Sequence, residues 1–270
     1  MNKRFAMLMC VSFLLSCSVP AAIELVTIGN PGNPADKSGY GSVNYTYQIM
    51  RYAVSNADWA VFDPDHSSSF AGDNMPVHGI TWYQAAQFCN YQTSGNIYSG
   101  AYIFEQTTGN FMGINREAAL EEYGRIFALP TEHEWHKAAY YNLEEDIYWL
   151  YANGSDDPPI DGQDAMYDGE APWNVDDGSL EQNGTFNMMG NVWEWTERIG
   201  GSWAALRGGA YNTPEAFANR LSAEYLQYSA VPHGEFDNTG FRMVVLVPEP
   251  GGLAVLLAGV LALRKRRRAA

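Results

Sequence analysis

Phe186-Asn187-Met188-Met189-Gly190-Asn191-Val192-Trp193-Glu194-Trp195-Thr196 puts two tryptophans, one carboxylate and a Gly-Asn turn into eleven residues. In an extended strand successive side chains alternate between faces. Trp193 and Trp195 then point one way, and Val192, Glu194 and Thr196 the other. Each indole carries a large apolar area, and a pair of them anchors a core. Glu194, caught between them, is costly to bury as an anion unless a cation or several donors meet it. The segment predicts the centre of a core with a polar or metal site beside it.

Working outward, PVHGITWYQAAQFCNY from Pro76 carries Trp82, Ala85, Ala86 and Cys89 at helical spacing. These make one apolar face of a helix that begins near Thr81. LPTEHEWHKAAYY from Leu129 opens a further helix at Thr131, with Glu134 in capping-box spacing. It runs to about Tyr141 and buries Trp135, Ala138 and Ala139. Nearer the N-terminus, a strand is followed by a Gly/Pro/Asn loop and a second strand from Val43 to Tyr52, where Val43, Tyr45, Tyr47 and Ile49 alternate. Ser55 or Asn56 offers an N-cap for a short helix through Trp59 and Phe62. From Asn153 to Leu180 the chain is dominated by Asp, Gly, Pro and Asn and reads as loop. Loops of that length are functional or held by something. No internal repeat or linker interrupts the chain before Val247, so residues 23–246 read as one domain.

These blocks, followed by LRGGAYN from Leu206 and TGFRMV from Thr239, resemble in their order the sulfatase-modifying factor family, which includes the formylglycine-generating enzymes. The resemblance runs from about Ile28 to Val245 and is carried by the ordered set rather than by any one block. It implies an α+β domain, the formylglycine-generating-enzyme-type variant of the C-type lectin fold. Such a domain has short twisted sheets, two to three helices and long loops. Gly 26, Pro 13 and 14% aromatic residues suit a loop-rich domain cored by rings.

Both ends read as processing signals. Residues 1–22 have Lys3 and Arg4, an apolar run from Phe5 to Leu15 and then small residues, the order of a signal peptide cut by signal peptidase near Ala21 or Ala22. Leu14-Leu15-Ser16-Cys17 also resembles a lipobox, which leaves lipoprotein processing at Cys17 as the competing route. Residues 247–270 run from Val247-Pro248-Glu249-Pro250 through an apolar stretch, Gly251 to Leu263, to Arg264-Lys265-Arg266-Arg267-Arg268. This resembles the PEP-CTERM sorting signal of exopolysaccharide-producing Gram-negative bacteria, which implies an exosortase as partner. The basic cluster is expected to stay cytoplasmic and the domain outside, first as an inner-membrane intermediate and then at the cell surface or beyond it.

The chain carries a net charge of −15. Removing both ends takes away seven cations and one anion, which leaves about −21 on the mature domain. Such a surface repels nucleic acid and collects divalent cations. Of the three cysteines, Cys10 and Cys17 lie in the signal, so Cys89 alone remains and no intrachain disulfide forms.

The resemblance implies two calcium sites. The first falls on Asn187, Glu194 and the carbonyls of Gly190 and Val192, hard oxygen ligands that suit Ca²⁺. The second falls on the acidic loop, with Asp168 by side chain and Glu170 by carbonyl, and an earlier half at Asp164-Ala165. The formylglycine-generating enzymes bind copper through two cysteines after the RGG block, and soft thiolates suit Cu(I). Here that stretch reads RGGAYNTPEAFANRLSAEY and holds no cysteine. One thiol cannot build a dithiolate site, so copper and formylglycine-generating activity are not expected. His133 and His136 stand three apart on a helix and read as a surface pair, since HEWH lacks the spacing of the HExxH zinc motif. Arg207 and Arg242 read as buried guanidinium groups paired with carboxylates or carbonyls, bracing loops.

The expectation is an exported, non-catalytic domain, calcium-stabilised, that binds a partner or serves a structural role at the cell surface or in the exopolysaccharide matrix. No catalytic residues are assigned. Trp203, Tyr211 and Asn212 are the candidate ligand contacts, by position alone. Two other readings stand beside it: a metal-dependent oxidoreductase with a non-cysteine ligand set, and an accessory protein that docks on another surface protein.

Overall fold

The computed structural model describes residues 23–225 and 228–248. The expected signal peptide and all but the first two residues of the expected sorting tail lie outside these. In chain order the strands are β1 (Leu25–Ile28), β2 (Tyr47–Met50), β3 (Tyr102–Phe104), β4 (Phe111–Ile114), β5 (Ile126–Ala128) and β6 (Tyr141–Asn142). They continue with β7 (Ile147–Tyr148), β8 (Trp193–Gly200), β9 (Trp203–Arg207), β10 (Tyr228–Ala230), β11 (Thr239–Gly240) and β12 (Val244–Leu246). The helices are α1 (Asn56–Ala60), α2 (Trp82–Ser94), α3 (Arg116–Tyr123) and α4 (Glu132–Tyr140), with a 3₁₀ segment over Glu215–Leu221.

Local chemistry sets the helix ends. Ser55, Thr81 and Thr131 each accept the N3 backbone N–H of α1, α2 and α4, while Asp58, Gln84 and Glu134 reach back to the cap residue's own N–H. Both halves of the capping box are therefore closed three times over. Helix α2 stops at Gly95, whose φ of 76° an L side chain rarely adopts. Helix α4 ends differently, since its C-cap Tyr141 is extended and runs straight into β6. Helix α3 was not expected. It is capped by Asn115 and closed by Gly124, but only Ala119 of its residues is buried, so it lacks the apolar stripe on which a periodicity argument depends. The second strand is shorter than its alternation implies, four residues rather than the ten from Val43 to Tyr52.

Two four-stranded sheets organise the domain, in the orders β1-β2-β12-β5 and β10-β9-β8-β11. In the first, Val244 of β12 lies opposite Ile49 of β2 on one side and Ala128 of β5 on the other. In the second, β8 and β9 are antiparallel with a register shift between Trp195 and Ile199, and β11 runs parallel to β8.

Rings fill the space between the elements. Trp59, Trp82, Trp135 and Trp195 are fully buried. Trp59 stacks on Phe88 of α2 at 5.2 Å between centroids, and Phe88 meets Phe241 edge-on at 5.6 Å. Trp82 donates to the Thr196 carbonyl at 2.8 Å, and Trp195 donates to the Ile80 carbonyl at 3.2 Å. This reciprocal pair of indole hydrogen bonds ties the start of α2 to β8. Trp193 and Trp195 are both buried, as their alternation implies, and so are Glu194 and Thr196 on the opposite face.

Candidate functional site

The Gly-Asn turn ahead of β8 is a run of left-handed residues, with φ of 57° at Asn187, 75° at Gly190 and 62° at Asn191. A Cβ on Gly190 would stand 2.2 Å from the Met166 carbonyl oxygen, so the position needs glycine for space as well as for φ. The turn knits three loops together. Gly190 N–H donates to the Gly208 carbonyl, Asn191 N–H to the Met166 carbonyl, and Tyr211 N–H to the Asn191 carbonyl, each at 2.8 Å.

Glu194 emerges from this turn at 1% exposure, and its cation is Arg242, at 0%. Arg242 Nε lies 2.9 Å from Oε1 and 2.8 Å from Oε2, Nη2 lies 2.7 Å from Oε1, and Trp135 Nε1 lies 2.7 Å from Oε2. A carboxylate offers about four lone-pair positions, and these four contacts take them. The rest of the guanidinium holds the carbonyls of Met50, Arg51 and Phe186. Arg242 thereby clamps β2, the segment ahead of β8 and β12 around one charge, as the bracing role anticipates. The Glu194 ligand of the calcium expectation is corrected accordingly, since its oxygens face a guanidinium and an indole.

The other expected ion ligands are scattered. Asn187 Oδ1 accepts from Trp173 Nε1 at 2.7 Å, while Nδ2 donates to the carbonyls of Val175 and Asp177. Gly190 and Val192 are buried in the turn and at the start of β8, whereas Asp168 and Glu170 are exposed. Asp168 sits at φ 53°, its backbone N–H held by the Thr213 carbonyl. Among the described residues no three His, Cys, Asp or Glu side chains converge as a metal site would require.

A second buried network was not legible. Glu132, at 4% exposure, takes Arg207 Nε at 3.0 Å on one oxygen and Arg198 Nη1 at 2.7 Å on the other. Arg207 also lies over the Tyr40 ring at 4.5 Å. Beside it, Arg116 joins Glu134 at 2.9 Å to Glu197 at 2.6 Å, and burial pushes the Glu197 carboxyl up although Arg116 opposes this. Glu134 was readable as a cap, and its second duty as the partner of Arg116 was not. Tyr40, Thr131, Glu132, His133, Arg198 and Ile199 line a cavity of about 510 Å³.

His133 and His136 do not form a surface pair. His136 is fully buried and its Nε2 lies 2.7 Å from Asp36 Oδ2, whereas His133 faces the cavity just described. Desolvation lowers the His136 pKa and holds the ring neutral against the pull of Asp36. The candidate ligand contacts divide as well. Trp203 opens β9 beneath the Arg198 guanidinium at 5.2 Å. Tyr211 and Asn212 lie beyond the far end of that strand, about 13 Å along it at some 3.3 Å per residue. Tyr211 is buried against Phe70 at 5.5 Å, and Asn212 Oδ1 accepts from Asn238.

Cys89 is the only cysteine among the described residues, at 0% exposure inside α2, where burial pushes its thiol well above the ordinary range. After Arg207, the turn uses Gly208 and Gly209 at φ 97° and 82°, and Thr213 Oγ1 accepts the Ala210 N–H at 3.0 Å.

Comparison with known proteins agrees with this geometry. The chain is similar to the "Chaperone protein LppX" of Paenibacillus barcinonensis, at 25% identity over 244 residues, covering 77% of this chain and 86% of that one. It is also similar to the "Inactive C-alpha-formylglycine-generating enzyme 2" of Mus musculus, at 31% identity over 134 residues, covering 42% of this chain and 41% of that one. Among solved structures, Treponema denticola variable protein 1 superposes with a TM-score of 0.60 at 19% identity, over 83% of this chain and 95% of that one. The protein titled CarF superposes with 0.61 at 18%, over 84% and 99%. These two likenesses establish the shared fold. The profile of the sulfatase-modifying factor enzyme 1-like domain matches residues 33–247, and the chain belongs to that family.

Proposed function

We propose that this domain is an exported, non-catalytic member of its family that works by binding or bracing at the cell surface or in the exopolysaccharide matrix. The observation that carries the reading is the missing thiol pair. The segment Arg207–Tyr225 holds no cysteine, and Cys89 is sealed inside α2. Soft donors for Cu(I) are therefore lacking where the family places them. The printed name of the mouse relative, an inactive enzyme, supports the same view. Purified protein supplied with copper, oxygen and a cysteine-containing peptide will leave the peptide's mass unchanged. Appearance of the aldehyde product would overturn the reading.

Calcium belongs to the proposal in a narrower form than the sequence implies. With Glu194 taken by Arg242, an ion would rest on Asn187 Oδ1, the carbonyls of Gly190 and Val192, or the exposed Asp168 and Glu170. The acidic surface supports cation capture in general. Binding to the native state alone raises the melting temperature with calcium concentration, by about 2.7 kcal/mol of added stability at a hundred times Kd. A melting curve that neither calcium nor chelator moves would remove the ion and leave the binding role in place.

Export through a signal peptide and handling of the tail by an exosortase remain part of the same proposal, supported by the order of basic, apolar and small residues at the two ends. A second reading, assistance to another exported protein, is favoured by the name of the Paenibacillus relative and by the length over which it matches.

A further inference from the structure

Helix α1 and the segment 63–73 enclose a cavity of about 320 Å³, lined among others by Asn56, Trp59, Asp63, His66, Ser67 and Asp73. Two polar atoms on its wall have no partner. Trp59 is 1% exposed and its Nε1–H meets no acceptor, while Asn56 Oδ1 is buried and meets no donor. Native structures rarely leave such groups unmatched, and each calls for an explanation. The orientation of the Asn56 amide is fixed by its surroundings. Nδ2 donates to the carbonyls of Phe70 and Gly72, both at 3.0 Å, so Oδ1 is the atom left over. The indole nitrogen is a donor only. The wall therefore presents one committed donor and one committed acceptor.

We infer that this cavity binds a neutral sugar unit, an inference that rests on the binding role proposed above and names its ligand class. A hydroxyl both accepts and donates, so it can satisfy Trp59 and Asn56, singly or as a neighbouring pair. An ammonium cannot accept from the indole. A carboxylate or phosphate cannot donate to Asn56, and it would meet Asp63 and Asp73 on a chain of net charge −15. Those two carboxylates and Ser67 offer further positions for the remaining hydroxyls of the same ring. The volume lies at the small end of ligand pockets, which suits one ring rather than an extended oligomer buried whole. Stacking of Trp59 on Phe88 at 5.2 Å holds the indole fixed, so the donor is in place before the ligand arrives.

The test uses the full-length protein labelled with ¹⁵N and the Trp59 indole N–H resonance. Glucose, galactose, mannose and N-acetylglucosamine are titrated separately in the millimolar range, with glucuronate and glycylglycine as controls. At least one neutral sugar is expected to move the resonance saturably, and neither control is. By calorimetry, Trp59→Phe and Asp73→Asn are expected to weaken that sugar about ten-fold or more. Trp59→Phe should melt near the parent temperature, because the N–H has no bond inside the protein to lose. The inference fails if no sugar moves the resonance, if glycylglycine moves it instead, or if Trp59→Phe binds the sugar as the parent does because only a trapped water sat there. None of these results touches the non-catalytic reading, which the aldehyde assay decides.

Discussion

Arg242→Met is expected to destabilise the domain by about 3–5 kcal/mol, because removing one partner of a buried ion pair leaves the other charged and unpaired. At about 2–4 °C per kcal/mol for a domain of this size, the melting temperature falls by roughly 6–20 °C. Glu194 is at 1% exposure and cannot recover its charge partner from water. Trp135 Nε1 stays as its one remaining side-chain donor, and the carbonyls of Met50, Arg51 and Phe186 lose their shared cation. Substituting Glu194→Gln in the same protein should restore a large part of the loss. A double-mutant cycle followed by thermal melting separates the pair's coupling from simple loss of volume. A single Arg242→Met variant that melts within a degree or two of the parent would show that the pair is not what holds these three segments.

The second large effect is a pH dependence centred on Glu181. This carboxyl is 4% exposed, with Oε2 accepting from Thr185 Oγ1 at 2.8 Å and Oε1 without a partner. Burial raises its pKa from 4.5 to about 7, although Arg242 pulls the other way. The folded state therefore prefers the protonated form. The contribution is fully present below pH about 4.5 and is lost as pH rises through about 7, where it levels off. A displacement of that size is worth about 3 kcal/mol at 1.36 kcal/mol per unit. Glu181→Gln, which cannot ionise, should match the parent near pH 4 and exceed it by several degrees at pH 8. The difference between the two melting profiles isolates this group from the other carboxylates that titrate at low pH. Parallel profiles across that range would show that Glu181 is not the titrating group. The two effects are coupled, since loss of Arg242 removes a cation that restrains the Glu181 pKa, and their sum should not be additive.

What the sequence made legible follows from how local each signal is. The caps at Ser55, Thr81 and Thr131 depend on residues three apart, and all three helices start where those residues place them. Burial of Trp193 and Trp195 followed from alternation. The need of Glu194 for a cation was also visible, because a carboxylate between two indoles must be compensated. Which cation met it was not, since Arg242 lies 48 residues away and no spacing rule relates the two. The resemblance implied a bound ion there, and the guanidinium occupies the oxygens instead. His136 shows the same limit. Its partner Asp36 lies 100 residues upstream, and an isolated view of α4 places the ring at the surface. Orphaned atoms such as Trp59 Nε1 are invisible in principle to a sequence, because they are defined by what three-dimensional packing fails to supply. Helix α3 was missed for a different reason, its caps being present but its buried face reduced to one alanine.

Strand β12 has a mechanical consequence. It lies between β2 and β5, antiparallel to both, and the chain leaves it at Leu246 toward the basic end. Backbone hydrogen bonds in such ladders run perpendicular to the strands. Tension applied to the C-terminal end pulls β12 along its own axis, so its bonds to both neighbours are sheared together rather than peeled one after another. A domain held by that end should resist extension better than one whose final strand lies at a sheet edge.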